Sequence, residues 1–123
     1  MPESADVTAV AMVNEARRLV AVGWCQGAHA RDDTGLEVPS WSDEARSWSL
    51  LGALLSSWHR QDSNGDGSVA AHLIDAHALG QATEVLGEVL ETASLDGWND
   101  EPGRTPAEVV DALERTLARL DEP

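Results

Sequence analysis

Apolar residues recur at intervals of three and four through most of this chain, the spacing that lines one face of a helix. From Thr8 to Val22, Val10, Val13, Ala16 and Val20 share a stripe with Met12 and Leu19 beside it. Asn14, Glu15, Arg17 and Arg18 fall largely elsewhere. Gly23 then stands where a helix wants a left-handed closing residue. A second helix is expected to open at Ser40 or Ser42, with Asp43 and Glu44 in its first turn, where the helix dipole favours acids. Its apolar face would hold Ala45, Trp48, Leu51, Gly52, Leu55 and Trp58 or His59. Gly52 within that face costs about 1 kcal/mol against Ala unless it admits a close helix contact, and such a contact is expected there.

The helical pattern resumes at Val69 with Leu73, Ile74, His77 and Ala78. It stutters at Gly80, then continues through Val85, Leu86, Val89 and Leu90 to about Ser94. A last helix starts after Thr105, with Pro106 at its first position, Glu108 closing a capping box, and Val109, Val110, Leu113, Leu117 and Leu120 at helical spacing. Between the first two helices, Ala28 to Val38 reads as two short extended pieces around the turn Asp32-Asp33-Thr34-Gly35, with an irregular loop as the alternative. These elements predict an all-α fold: a compact bundle of four or five helices, with room for one small β-hairpin after the first. Residues 8–120 form a single helical domain, preceded by a disordered N-terminus over residues 1–7.

Composition narrows the chemistry. The chain has 123 residues, enough for one domain with its own core. It has five tryptophans and no Phe or Tyr, and all eight basic residues are arginine, a bias that fits a GC-rich bacterial genome. The net charge of −14 repels nucleic acid and anionic membranes, so neither is an expected partner. The carboxylates are spread rather than blocked, which favours solubility over imitation of a polyanion. One cysteine, Cys25, permits no internal disulfide, and with no secretory leader or membrane span in the sequence a cytoplasmic location is expected. No basic residue flanks Cys25, which reads as a small buried hydrophobe.

Candidate chemistry is sparse. Asp62-Ser63-Asn64-Gly65-Asp66-Gly67-Ser68-Val69 matches the first eight positions of an EF-hand calcium loop, with Asp62, Asn64, Asp66 and Ser68 as the oxygen donors. The twelfth position, which should be a bidentate Glu, is Leu73, and Asp75 comes two residues too late. Weak calcium binding or none is expected, the alternative being a polar helix connection. His72 and His77 are five apart and so on different faces of a helix, and no Cys/His metal spacing is present. No metal or other cofactor is expected. Serine-hydrolase, phosphate-loop and dinucleotide signatures are absent.

The densest stretch is Trp98-Asn99-Asp100-Glu101-Pro102-Gly103-Arg104-Thr105. It places an aromatic, an amide, two carboxylates and an arginine around a tight Pro-Gly turn. Together with Gly23-Trp24-Cys25-Gln26-Gly27-Ala28 and Trp48-x-x-x-Gly52-Ala53-Leu54, it resembles an uncharacterised family of small actinobacterial and phage proteins, catalogued only as a domain of unknown function. The resemblance covers residues 8–120. Ser49 departs from a pattern that often has Cys there, and the calcium-like loop lies outside it. It implies a compact helical domain and brings no reaction, cofactor or partner.

Physically, the two signature loops are expected to meet, with Asp100 pairing Arg104 across the turn and Gln26 or Asn99 satisfying helix ends. That junction is either a latch or a pocket wall, and the latch is favoured. Two functions follow. One is a non-enzymatic binding or accessory module holding a small ligand or protein partner through Trp24, Gln26, Trp98, Asn99 and Arg104. The other is a small cofactor-independent enzyme of specialised metabolism, with Asp100 as general acid or base in a Trp-lined pocket.

Overall fold

The computed structural model describes residues 4–63 and 67–121, the side chains of residues 4–6 excepted. Its elements are α1 (Ser4–Val22), β1 (Ala30–Arg31), β2 (Ser47–Trp48), α2 (Leu50–Ser63), α3 (Val69–Leu90), α4 (Leu95–Asn99) and α5 (Pro106–Leu120). The fold is an all-α bundle with a small antiparallel sheet, in which Ala30 pairs with Trp48 and Arg31 with Ser47. No helix among the described residues is long and apolar enough to cross a membrane.

The first helix is the axis of the bundle and touches α2, α3 and α5. Ala9, Met12, Val13, Ala16, Leu19 and Val20 are all buried along it, the stripe expected from the sequence together with its flanks. The helix opens at Ser4, taking in residues 4–7 that the apolar pattern left in a disordered lead. At the other end of the chain, α5 packs on α1 through Val109, Ala112, Leu113 and Thr116. Thr116 is buried without penalty because its hydroxyl donates to the Ala112 carbonyl at 2.9 Å. The expected cap is present: Thr105 Oγ1 accepts from Glu108 N, and the Glu108 carboxylate accepts from Thr105 N.

The second helix departs most from expectation. It begins at Leu50, not near Ser40 or Ser42, and Ser49 is its cap, with its hydroxyl accepting from Gly52 N at 3.0 Å. The backbone just before it is committed elsewhere. Arg46 N donates to Arg31 O, Trp48 N to Gly23 O, Cys25 N to Trp48 O and Ser49 N to His29 O. A helix through these residues would forfeit all four bonds, so tertiary pairing overrides the local helical pattern. Trp48 is core, as expected, but from a strand.

Gly52 does mark a close approach, though to a strand end rather than a helix. A Cβ there would lie 1.9 Å from the His29 carbonyl oxygen. Gly23 likewise serves a contact and not a left-handed turn, since a Cβ on it would meet Arg46 O at 2.3 Å and its φ is not positive. The third helix runs unbroken through Gly80 and buries small residues, Ala78 and Ala82, with Leu86 and Asp75. Val69 and Leu73, expected on its apolar face, are 75% and 60% exposed.

Candidate functional site

Asn99 ends α4 and is fully buried. Its side-chain oxygen accepts from Trp24 Nε1 at 2.8 Å and from Leu50 N, the first amide of α2, at 3.0 Å. Its amide nitrogen donates to Cys25 O at 3.1 Å and to Asp100 Oδ1 at 3.0 Å. An asparagine side chain offers two acceptor positions and two donors, so every one is spent. Turning the amide over would set N–H against N–H and oxygen against oxygen, so the network fixes its orientation.

Around this residue the two signature loops close on each other. Gln26 Nε2 donates to the carbonyls of Asn99 and Glu101, both at 3.0 Å, and Asp100 Oδ1 accepts from Gly27 N at 2.9 Å. Arg31 reaches back to Gln26 O at 3.1 Å and Gly35 O at 3.0 Å. The loops therefore meet as expected, but the expected ion pair between Asp100 and Arg104 does not form. The Pro-Gly turn, with Gly103 at φ 87, carries Arg104 back over Trp98, its guanidinium carbon 3.8 Å from the ring centroid. There Arg104 donates to Trp98 O at 2.9 Å and pairs with Glu101 and Glu108, both at 3.2 Å. Asp100 faces the opposite loop instead.

Of the residues singled out in the sequence, Trp24, Gln26, Asn99 and Asp100 thus share one junction. Trp98 and Arg104 lie on its flank and border a hollow of about 470 Å³ between α3 and α5. Cys25 sits inside the junction, and burial pushes its thiol above the ordinary range, with Ser47 and Arg31 only partly offsetting that. Such a thiol stays protonated at neutral pH and is a poor nucleophile.

The calcium-like stretch is partly visible. Asp62 lies at the end of α2 with its carboxylate 3.1 Å from His72 Nδ1, and Ser68 caps α3 by accepting from Ala71 N at 3.0 Å. Asn64 and Asp66 lie outside the described residues. Among the described residues no group of three His, Cys, Asp or Glu side chains is placed to hold a metal ion.

The chain matches the family of unknown function DUF6197 over residues 4–119. It belongs to that family. No match was found among curated proteins or among solved structures. The match covers all but the last residue of the helical bundle, junction included, and assigns no activity to either signature loop.

A second feature was not visible in the sequence. The end of α1, the turns over residues 40–46 and the later half of α2 enclose a cleft of about 490 Å³. It is lined by Trp41, His59, Arg18, Arg46 and Arg60, with Ser56 among the buried residues on its wall. Trp41 is 57% exposed and stacks on His59, ring centroids 5.5 Å apart. Its position runs against the sequence pattern: Trp41 lies four residues before Ala45 and seven before Trp48, on the stripe of a helix opening at Ser40, and it is exposed because turns replace that helical start.

Proposed function

We propose that this protein is a small, non-enzymatic binding module of the cytoplasm. The supporting observation is the state of Asn99: a fully buried amide with all four hydrogen-bonding positions satisfied inside the protein. A group that must stabilise charge developing on a substrate needs donors left free to meet it. The donors of this junction, Trp24 Nε1, the Asn99 amide and the Gln26 amide, are instead all directed at protein acceptors. The junction ties α1 and β1 to α2 and α4, and is better read as the latch that holds a binding scaffold rigid.

The test is to incubate the protein with a bacterial metabolite extract and identify retained molecules by native mass spectrometry. Each retained molecule is then recovered from denatured protein. Recovery of an unchanged ligand is expected. Conversion of a molecule by the wild type but not by Asp100→Asn would overturn the reading in favour of an enzyme that uses that carboxylate.

A further inference from the structure

We infer that the cleft between α1, the 40–46 turns and α2 is a binding site for a small planar aromatic ligand that carries a carboxylate or phosphate. This assignment rests on the binding-module reading and gives it a place and a ligand class.

Charge is the first argument. The chain carries −14 and only eight basic residues, yet three of its arginines line this one cleft. Two carboxylates oppose them. Glu15 is shared between Arg18 and Arg60, and Asp43 lies on the wall. The balance is locally positive on a strongly negative molecule, so an anion is drawn to this cleft and repelled from most of the remaining surface. Arg46 carries the surplus. Its Nη1 donates to the main-chain carbonyls of Asp43 and Ala45, both at 2.8 Å, and it forms no ion pair among the described residues. Its fork is thereby held in place with nitrogens to spare, the arrangement that suits bidentate recognition of a carboxylate or phosphate.

Shape is the second argument. A tryptophan stacked on a histidine at a cleft wall, more than half exposed, offers a flat face for another ring. Ser56 is 3% exposed and lines the cleft together with Trp41, His59 and Arg60. A volume of about 490 Å³ suits a small molecule. The other hollows lack this combination. That below Trp98 holds Arg104 and Arg115, but Glu101, Glu108 and Asp111 already neutralise them. The hollow between α3 and α4 presents Glu84, Glu88, Glu91 and Asp96, which would repel an anion.

The test uses 2-naphthoate and 1-naphthyl phosphate as probes, with neutral 2-naphthamide as the uncharged control. Isothermal titration gives affinity, and the indole N–H signals in a nitrogen-correlated NMR spectrum give location. At least one acid should bind with a dissociation constant of ~1 mM or tighter, and the amide about tenfold more weakly. Arg46→Gln should weaken the acid about tenfold and leave the amide unchanged, because it removes one charge-assisted contact. Trp41→Leu should abolish both while leaving the melting temperature close to wild type, since both substituted side chains are exposed.

Absence of binding by both acids, equal binding of acid and amide, or binding unaffected by Trp41→Leu would overturn the assignment. The module reading fails differently, by chemical conversion of a bound molecule, which is checked by recovering each probe after titration.

Discussion

Asn99 and Asp100 are adjacent but hold the junction in different ways. Asn99 contributes four bonds from a fully buried position, whereas Asp100 is exposed and contributes through one carboxylate oxygen. Asn99→Ala strands the Leu50 and Trp24 N–H groups and the Cys25 carbonyl, each at the cost of an unmade bond in or near the core. The expected loss is about 3 kcal/mol or more. Urea unfolding checks this, and a loss below about 1 kcal/mol would show that water or a shifted loop replaces the amide. Asp100→Asn should be milder. Its side-chain oxygen can still accept from Gly27 and Asn99, and Arg104 keeps Glu101 and Glu108, so only the charge assistance is lost, about 1 kcal/mol. Had Asp100 been the partner of Arg104, as its position in the sequence suggests, the cost would have been larger.

The helices show which parts of a sequence speak for themselves. Where local signals and tertiary packing agree, as at Thr105, Pro106 and Glu108 of α5, the element and its cap were legible. The start of α2 was not, because residues 46–49 bond to segments some twenty residues away, and no local pattern encodes that choice. The buried face of α3 departs from the apolar pattern for a related reason. Its bulky residues near Val69 and Leu73 face out, while alanines let it approach its neighbours closely. The meeting of the two signature loops was legible from their unusual polarity, but not which polar groups would pair. Glycine separates local from tertiary effects in two adjoining helices. A Cβ placed on Gly80 would have no atom within 4 Å, so Gly80→Ala should stabilise α3 by roughly 0.5–1 kcal/mol through helix propensity and a stiffer unfolded chain. Gly52→Ala drives its methyl into the His29 carbonyl and should cost more than about 2 kcal/mol. Melting temperatures moving in opposite directions are expected. A stabilising Gly52→Ala would mean that the sheet and α2 are not held as tightly as the geometry indicates.

At the scale of the whole molecule, stability must answer to an excess of carboxylates. Asp75 is buried on α3, and its carboxyl is raised from the ordinary 3.8 by desolvation first and then by the neighbouring Asp62. Folding therefore favours its protonated form. The penalty is fully present above the raised value, is relieved as pH falls through it, and is gone below 3.8. Glu15, held by Arg18 and Arg60, is lowered from 4.5, as is Glu108 by its cap; their support is full above that value and is lost as pH falls through their lowered values. The two slopes oppose each other in sequence. Acidification from neutral pH should first raise the melting temperature, as Asp75 takes up a proton and the overall repulsion of a −14 chain declines. It should then lower it as Glu15 and Glu108 protonate. Asp75→Asn tests the local share of that rise, because an amide can donate to Asp62 at any pH. The variant should melt higher than wild type at neutral pH and show a flatter rise on mild acidification. Added salt mimics only the global share, by screening, so the difference between the two proteins should survive at high salt. If Asp75→Asn melts no higher than wild type at neutral pH, the buried carboxylate is not a source of strain, and the acid response belongs to the net charge alone.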